Sequence, residues 1–81
     1  MEPDRDPRMA WLAGRVRDRR RALGLRQTEL AELAGTSVRF VHTLENAKGS
    51  VRLDKVLDVL DVLGLELRLL GRDARGEGGS S

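Results

Sequence analysis

The sequence predicts an all-α fold of four to five short helices, followed by one short C-terminal β-strand. Two observations predict the helices: apolar residues recur three and four positions apart in successive segments, and glycine follows most of these segments. A third observation predicts the strand, because residues 65–70 alternate between apolar and charged side chains over most of their length.

Length and composition indicate one small domain. A chain of 81 residues buries only about 60% of its unfolded surface, so dimerisation would add stability. The sequence has no cysteine, which fits a reducing compartment. Its charged N-terminus and short apolar runs argue against a signal peptide and against a membrane partner. We expect a flexible N-terminus at 1–6, a folded domain at 7–71 and a flexible tail at 72–81.

The first helix is expected to begin at Pro7, because Asp6 is a good N-cap and proline is favoured at the first helical position. It should end before Gly24, since glycine suits the residue that follows a helix. Trp11 is expected at the edge of the core beside Leu12, with a contact to a partner protein as the alternative. The apolar period of this helix is Met9, Leu12, Val16 and Leu23.

The second and third helices, expected at Gln27–Ala34 and from Val38 to about Ala47, are separated by a very short turn. Gly35 can adopt the positive φ that other residues resist, and Ser37 can cap the third helix. Ala31 faces the turn, where a larger side chain would force the helices apart. The other inward-facing residues are expected to be Leu30, Leu33, Ala34, Val41 and Leu44, with Phe40 also possible.

The fourth helix is expected at Leu53–Leu63, with Gly64 ending it. A second apolar stripe, Val59 and Val62, lies beside its core stripe, although a helix on a monomer surface does not need two. The core stripe is expected to be Leu53, Val56, Leu57, Leu60 and Leu63.

The strand at residues 65–70 needs a partner, because a lone strand leaves its backbone groups unpaired. The chain offers no second strand, so we expect antiparallel pairing with the same segment of a second copy. If the two-fold axis passes through Leu67, Glu66 of each copy lies opposite Arg68 of the other copy, which gives two opposite-charge pairs. The expected homodimer interface is Val59, Val62, Leu65, Glu66, Leu67, Arg68 and Leu69.

A helix, a short glycine turn and a second helix form a helix-turn-helix, which projects the N-terminal half of its second helix into the DNA major groove. Arg39 could then reach base edges or phosphate, Thr43 could donate or accept a hydrogen bond, and Val38 could contact a thymine methyl. Ser37 and the helix N-terminus could bind a phosphate group. An ordinary helical hairpin is the alternative.

The charge distribution fits a nucleic-acid partner. Residues 1–26 contain eight arginines against four acidic residues, a net of +4, whereas residues 53–70 contain two basic and four acidic residues, a net of −2. An arginine cluster suits a phosphate backbone. A solvated, ion-paired helix face would produce the same excess.

The sequence resembles the Xre/Cro/CI-type helix-turn-helix proteins over about residues 12–70, in RRRALGLRQTELAELAGTSVRFVHTLENAKGSVRLDKVLDVLDVLGLEL. Its most specific motifs are ALGLxQxELAELAG and LEN. Within that family it is most similar to the HipB-like antitoxins, which pair with HipA-like toxin kinases. The resemblance implies a lambda-repressor-like, dimeric DNA-binding repressor. Arg26 and Ala47 depart from the family, which often has threonine or serine and glycine at these positions.

The resemblance also implies roles for single residues. Gln27 would contact the phosphate backbone at the start of the second helix. Arg20 and Glu45 occupy positions that form a buried ion pair in several relatives, and both lie near the apolar faces of their helices. Lys48 and Asn46 would contact the backbone after the third helix. The full set expected at DNA is Gln27, Ser37, Val38, Arg39, His42, Thr43, Asn46 and Lys48.

No enzyme is expected, because an active site needs a nucleophile–base pair or an acid–base cluster and the single His42 has no evident partner. One histidine without cysteine gives no metal site, and no cofactor is expected. The expected function is a repressor of pseudo-palindromic operator DNA in the bacterial cytoplasm, at the nucleoid, acting as the antitoxin of a HipA-like toxin kinase. The alternatives are a stand-alone Xre-type regulator and an interaction module that mainly restrains the toxin.

Overall fold

The computed structural model describes residues 6–72, which form four α-helices and contain no β-strand. The helices are α1 (Pro7–Ala22), α2 (Gln27–Ala34), α3 (Val38–Asn46) and α4 (Leu53–Val62). The prediction of an all-α fold is therefore confirmed, with four helices. None of these helices has the length and apolar character needed to cross a bilayer. The expected flexible ends lie outside the described residues, apart from Asp6 and Arg72.

Side chains and backbone groups fix where the helices begin. The Asp6 carboxylate accepts a hydrogen bond from the Arg8 N–H at 2.8 Å, and Pro7 occupies the first helical position. The Arg8 guanidinium also donates to Asp6, which lowers the pKa of Asp6 from 3.8 to about 2. Arg26 cannot cap α2 because an arginine side chain has no acceptor. Instead the Glu29 carboxylate accepts from the Arg26 N–H at 2.8 Å.

The turn between α2 and α3 has the predicted backbone conformation. Gly35 has φ +69°, and the next residue, Thr36, donates its N–H to the Ala31 carbonyl at 2.9 Å. Ser37 then caps α3 by accepting from the Phe40 N–H at 3.1 Å. Ala47, which was expected within the third helix, follows α3 in the left-handed region with φ 55°. This conformation is unfavourable for a residue with a Cβ, so glycine would fit better at this position.

One apolar core joins the four helices. Val16 of α1, the α2 residues Leu30 and Ala31, and Val41 of α3 all lie within it. Ala31 is only 3% exposed, so the space between α2 and α3 accommodates a methyl group and little more. The other buried members are Leu44, Val56, Val59, Leu60 and Leu63.

The structure corrects the predicted faces of α4. Val59, expected at the dimer interface, is fully buried in the core of its own chain. Leu53 and Leu57, expected in the core, are 60% and 44% exposed. Both stripes have helical spacing, so sequence periodicity could not decide between them. The packing of α4 against α2 selects the stripe that contains Val56, Val59, Leu60 and Leu63.

Two other apolar residues also lie outside the core. Trp11 is 67% exposed, which contradicts its expected place at the core edge, and Leu33 of α2 is 62% exposed. The inner face of α1 consists of Ala13, Val16 and Arg20, at helical intervals of three and four. Trp11 points away from that face because it lies two positions before Ala13.

The segment 65–70 follows the end of α4 without regular secondary structure. The Leu65 N–H donates to the Leu60 carbonyl at 2.8 Å, and the Leu63 carbonyl accepts from Arg19 Nε at 2.8 Å. These bonds set the point at which the chain leaves α4. Leu65 packs against the core, whereas Leu67 and Leu69 are 47% and 91% exposed. The predicted strand is therefore absent from the single chain.

Two glycine substitutions should have opposite effects on stability. Gly35→Ala should destabilise the protein by about 1 kcal/mol, because a Cβ is unfavourable at positive φ. Gly14→Ala should stabilise it by about 0.5–1 kcal/mol, because Gly14 lies inside α1 and an added Cβ would meet only Arg17 Nη2, at 3.7 Å. Urea unfolding of both variants provides the measurement. Equal effects would contradict the assigned turn conformation.

Candidate nucleic-acid interface

The two faces of α3 differ sharply in exposure. Val41, Leu44 and Glu45 face inward and are buried. The opposite face carries residues expected at DNA: Val38, Arg39 and His42 are exposed, and Thr43 is partly exposed. The buried face fixes the helix, so the outer face is a rigid, polar surface at the end of a helix-turn-helix.

A cleft of about 380 Å³ lies between the N-terminal half of α3 and the start of α4. It brings together Ser37, Arg39 and Thr43 from the predicted set. Arg52 and Lys55 line the same cleft from the loop before α4 and from α4 itself. Three basic side chains thus surround a space beside the outer face of α3. A space with this charge suits a phosphate group.

Sequence reasoning missed Arg52 and Lys55 because they are far from the helix-turn-helix along the chain. Lys55 belongs to a segment with a net negative charge, so the charge count gave no signal for it. Arg52 is paired with Asp54 at 2.7 Å, and its hydrogen bonds hold the pKa of Asp54 below its usual value. Both residues of this pair are well exposed. A phosphate group could therefore replace Asp54 as the partner of Arg52 without exposing any buried side chain.

The remaining predicted contacts lie elsewhere on the interface. The Asn46 side chain donates to the His42 carbonyl at 2.7 Å, so it reinforces the last turn of α3. Lys48 is exposed just after this helix. Neither residue lines the cleft that contains Arg39. The predicted set therefore divides between the start of α3 and its end.

Gln27 makes a structural contact within the single chain. Its side-chain Nε2 donates to Glu45 Oε1 at 3.1 Å, and the residue is partly buried. The expected contact of Gln27 with a DNA phosphate stays a prediction. Gln27 thus ties the first turn of α2 to the acidic residue of α3.

Arg20 and Glu45 form a buried ion pair between α1 and α3. Arg20 Nε lies 2.6 Å from Glu45 Oε2, and Arg20 Nη2 lies 2.9 Å from Glu45 Oε1. The two side chains are 10% and 3% exposed. Arg20 Nη1 also donates to the Leu25 carbonyl at 2.9 Å, and the hydrogen bonds to Glu45 raise the pKa of Arg20. This bidentate pair fixes the position of α3 relative to α1 and to the loop before α2.

Charged side chains elsewhere in the described residues form no metal-binding cluster, and some of them make structural bonds. Within residues 6–72, no three histidine, cysteine, aspartate or glutamate side chains are close enough to hold a metal ion. Two arginines of the basic N-terminal segment, Arg19 and Arg20, are occupied in structural bonds. Part of the positive charge that suggested DNA binding therefore serves the architecture.

Comparisons with known proteins agree with this geometry. The family described as "Helix-turn-helix domain" matches residues 11–72. The uncharacterized HTH-type transcriptional regulator y4mF of Sinorhizobium fredii is 42% identical over 60 residues, which cover 74% of this chain and 79% of that protein. The chain therefore belongs to the helix-turn-helix domain family.

Two solved structures extend the comparison. A chain in the HipA-HipB-O2-O3 complex has a TM-score of 0.70 and 25% sequence identity, and the match covers 78% of this chain and 89% of that one. A structure named MDT Protein matches with the same TM-score, identity and coverage. Within the family, this chain is an Xre-type, HipB-like helix-turn-helix protein, and its class is that of transcriptional regulators.

Breaking the buried pair should strongly destabilise the protein. Arg20→Met should lower the free energy of unfolding by about 3–5 kcal/mol, because it leaves the Glu45 carboxylate buried without its cation. Arg52→Met is the matched control, since its pair with Asp54 is exposed and should matter by less than about 1 kcal/mol. Urea unfolding monitored by circular dichroism measures both.

The double variant Arg20→Met/Glu45→Met tests the cause of that loss. Removing both charges eliminates the unpaired carboxylate, so this variant should be clearly more stable than Arg20→Met alone. If the two variants were equally unstable, the loss would come from packing around Arg20 and not from the unpaired, buried charge of Glu45.

Proposed function

We propose that this protein is a sequence-specific transcriptional repressor and the antitoxin of a HipA-like toxin–antitoxin pair, and that it regulates its own operon. The observation that carries the DNA-binding role is the two-sided character of α3, with Val41 and Leu44 locked in the core and Arg39 and Thr43 turned outward. The proposed location is the bacterial cytoplasm, at the nucleoid, where the operator lies.

The proposed binding mode places the outer face of α3 in the major groove. Arg39 and Thr43 read base edges, while Ser37, Arg52 and Lys55 bind phosphate groups beside the groove. Val38 and His42 lie on the same exposed face, and Lys48 and Asn46 lie at the far end of α3. A two-fold dimer would present two such helices to half-sites about 34 Å apart, so the operator is pseudo-palindromic.

Substitutions in the cleft should separate base contacts from phosphate contacts. Arg39→Ala and Thr43→Ala should each weaken binding to a selected operator by about 1–3 kcal/mol and have less effect on a scrambled duplex. Lys55→Ala should weaken binding to both duplexes similarly. It should also reduce the slope of the logarithm of the binding constant against the logarithm of the salt concentration by about one. Fluorescence anisotropy at several salt concentrations measures both effects. If Arg39→Ala weakened the two duplexes equally, its role would be limited to phosphate.

The proposed homodimer is formed by the segment 65–70, which pairs with its copy as an antiparallel strand. Two features support this pairing: Leu67 and Leu69 are exposed, and no backbone hydrogen bond joins residues 66–70 to the rest of the described chain, 6–72. Glu66 and Arg68 pair with each other at 3.2 Å in the single chain, both 75% exposed. In the dimer, Glu66 of each copy could instead pair with Arg68 of the other copy across the two-fold axis. Val62 is partly buried and could contribute only at the edge.

A charge exchange tests the register of the proposed strand pair. Glu66→Arg places arginine opposite Arg68 at two symmetric positions, so it should weaken dimerisation by about 0.4–2 kcal/mol. The double variant Glu66→Arg/Arg68→Glu restores both opposite-charge pairs and should recover the dimer. Sedimentation equilibrium gives the dissociation constants. If the double variant were as weak as the single one, the axis would not pass through Leu67.

The proposed toxin partner is supported by the likeness to a chain of the HipA-HipB-O2-O3 complex. A second support is the outer face of α4, where the exposed leucines Leu53 and Leu57 lie among the acidic residues Asp54, Asp58 and Asp61. Co-purification of the full chain with the product of the adjacent gene tests the partnership. Leu57→Arg should abolish capture and leave DNA binding intact. If the wild-type chain captured only DNA, it would be a stand-alone regulator.

A further inference from the structure

An apolar groove of about 580 Å³ lies on α1, on a part of the molecule that the DNA-binding role does not use. Its lining consists of Pro7, Arg8, Met9, Trp11 and Leu12 of α1, together with Leu67 of the C-terminal segment. Trp11 is 67% exposed although it is the largest apolar side chain in the protein. A contiguous exposed apolar groove that contains a tryptophan is typical of a contact site for another protein surface.

The chemistry of the groove argues against a small-molecule ligand. Such ligands are oriented by a few convergent polar groups in a mostly apolar pocket. Among the six lining residues, Arg8 has the only charged side chain, and its guanidinium is bonded to Asp6 at 2.7 Å. The only other polar side-chain group is the indole N–H of Trp11. The occupant is therefore expected to be apolar and to need no anchoring charge.

The groove is continuous with the segment that is proposed to pair between copies. Leu67 lines it, and a second hollow of about 220 Å³ continues under the segment between Leu12 and Leu65. Arg15, Glu66 and Arg68 border this hollow, so both signs of charge occur along one rim. A two-fold interface brings a surface against itself, and a mixed-charge rim can complement itself in that way. A strongly acidic or strongly basic partner would instead meet like charges.

We propose that Trp11 anchors the homodimer: the groove on α1 of each copy receives the leucines of segment 65–70 of the second copy. This inference rests on the proposed dimer and adds α1 to it. In the register with Leu67 on the axis, Leu65, Leu67 and Leu69 share one face of the paired strands. The second copy's strand lies on the Trp11 side of the segment, so its leucines cover the indole that is exposed in the single chain.

Tryptophan fluorescence reads this contact directly, because Trp11 is the one tryptophan of the sequence. The experiment follows the emission maximum of the full chain through a dilution series, alongside sedimentation equilibrium on the same samples. The expected result is a shift to shorter wavelength that rises with the fraction of dimer. Trp11→Ala should raise the dissociation constant of the dimer about tenfold or more, as truncation of an interface anchor does.

Matched variants distinguish a specific contact of Trp11 in the dimer from a general effect of removing an exposed apolar side chain. Leu33→Ala removes an equally exposed apolar side chain, 62% against 67%, from α2 and should leave the dissociation constant unchanged. Circular dichroism of dilute Trp11→Ala should match that of the wild type, because Trp11 lies outside the core. A second probe, Trp11→Phe/Leu33→Trp, should show no wavelength shift on dimerisation.

The outcomes distinguish this inference from the proposed dimer. If a dimer forms and the emission of Trp11 does not move, the groove stays in solvent and the inference is wrong, while the dimer stands. If emission is already at short wavelength in dilute monomer, another part of the same chain covers Trp11 and the inference is also wrong. If the chain stays monomeric at every concentration, the dimer and the anchor fail together, and the DNA-binding assay remains a separate test.

Discussion

The buried pair of Arg20 and Glu45 is the interaction on which the geometry of the interface depends. It links α1 to α3, while Arg20 also bonds the Leu25 carbonyl and Glu45 also accepts from Gln27. Three of the four helices therefore meet at one charged network. Such a network is costly to leave incomplete, so it admits few alternative arrangements of α3. The outer face of α3 is held in place by contacts behind it.

The small size of the domain explains why apolar side chains remain outside. The core is filled by one stripe from each helix, and residues 6–72 contain no further helix or strand to cover the other apolar side chains. The exposed apolar residues include Trp11 on α1, Leu33 on α2, Leu53 and Leu57 on α4, and Leu69 after α4. They lie on different elements, so one contact need not cover them all. In our proposals the second copy covers the α1 groove and the toxin kinase covers α4.

The sequence by itself determined the helices and the turn. Residues such as Asp6, Ser37 and Gly35 act on their immediate neighbours, so their effects could be predicted from local spacing alone. The inward positions of Ala31, Val41 and Leu44 followed from the close approach that a helix-turn-helix requires. For Arg20 and Glu45, family resemblance suggested the ion pair that the structure contains.

The tertiary structure decided which of several equivalent faces is buried and which distant residues meet. In α4, two stripes of helical spacing compete, and only packing against α2 turns Val59 inward and Leu57 outward. Arg52 and Lys55 join Arg39 because the loop before α4 folds back beside α3. The segment 65–70 has strand periodicity, but a strand requires backbone partners that this chain does not contain within residues 6–72. Helices could be predicted from periodicity because their hydrogen bonds are local, whereas burial and strand pairing depend on residues elsewhere in the fold or in a second copy.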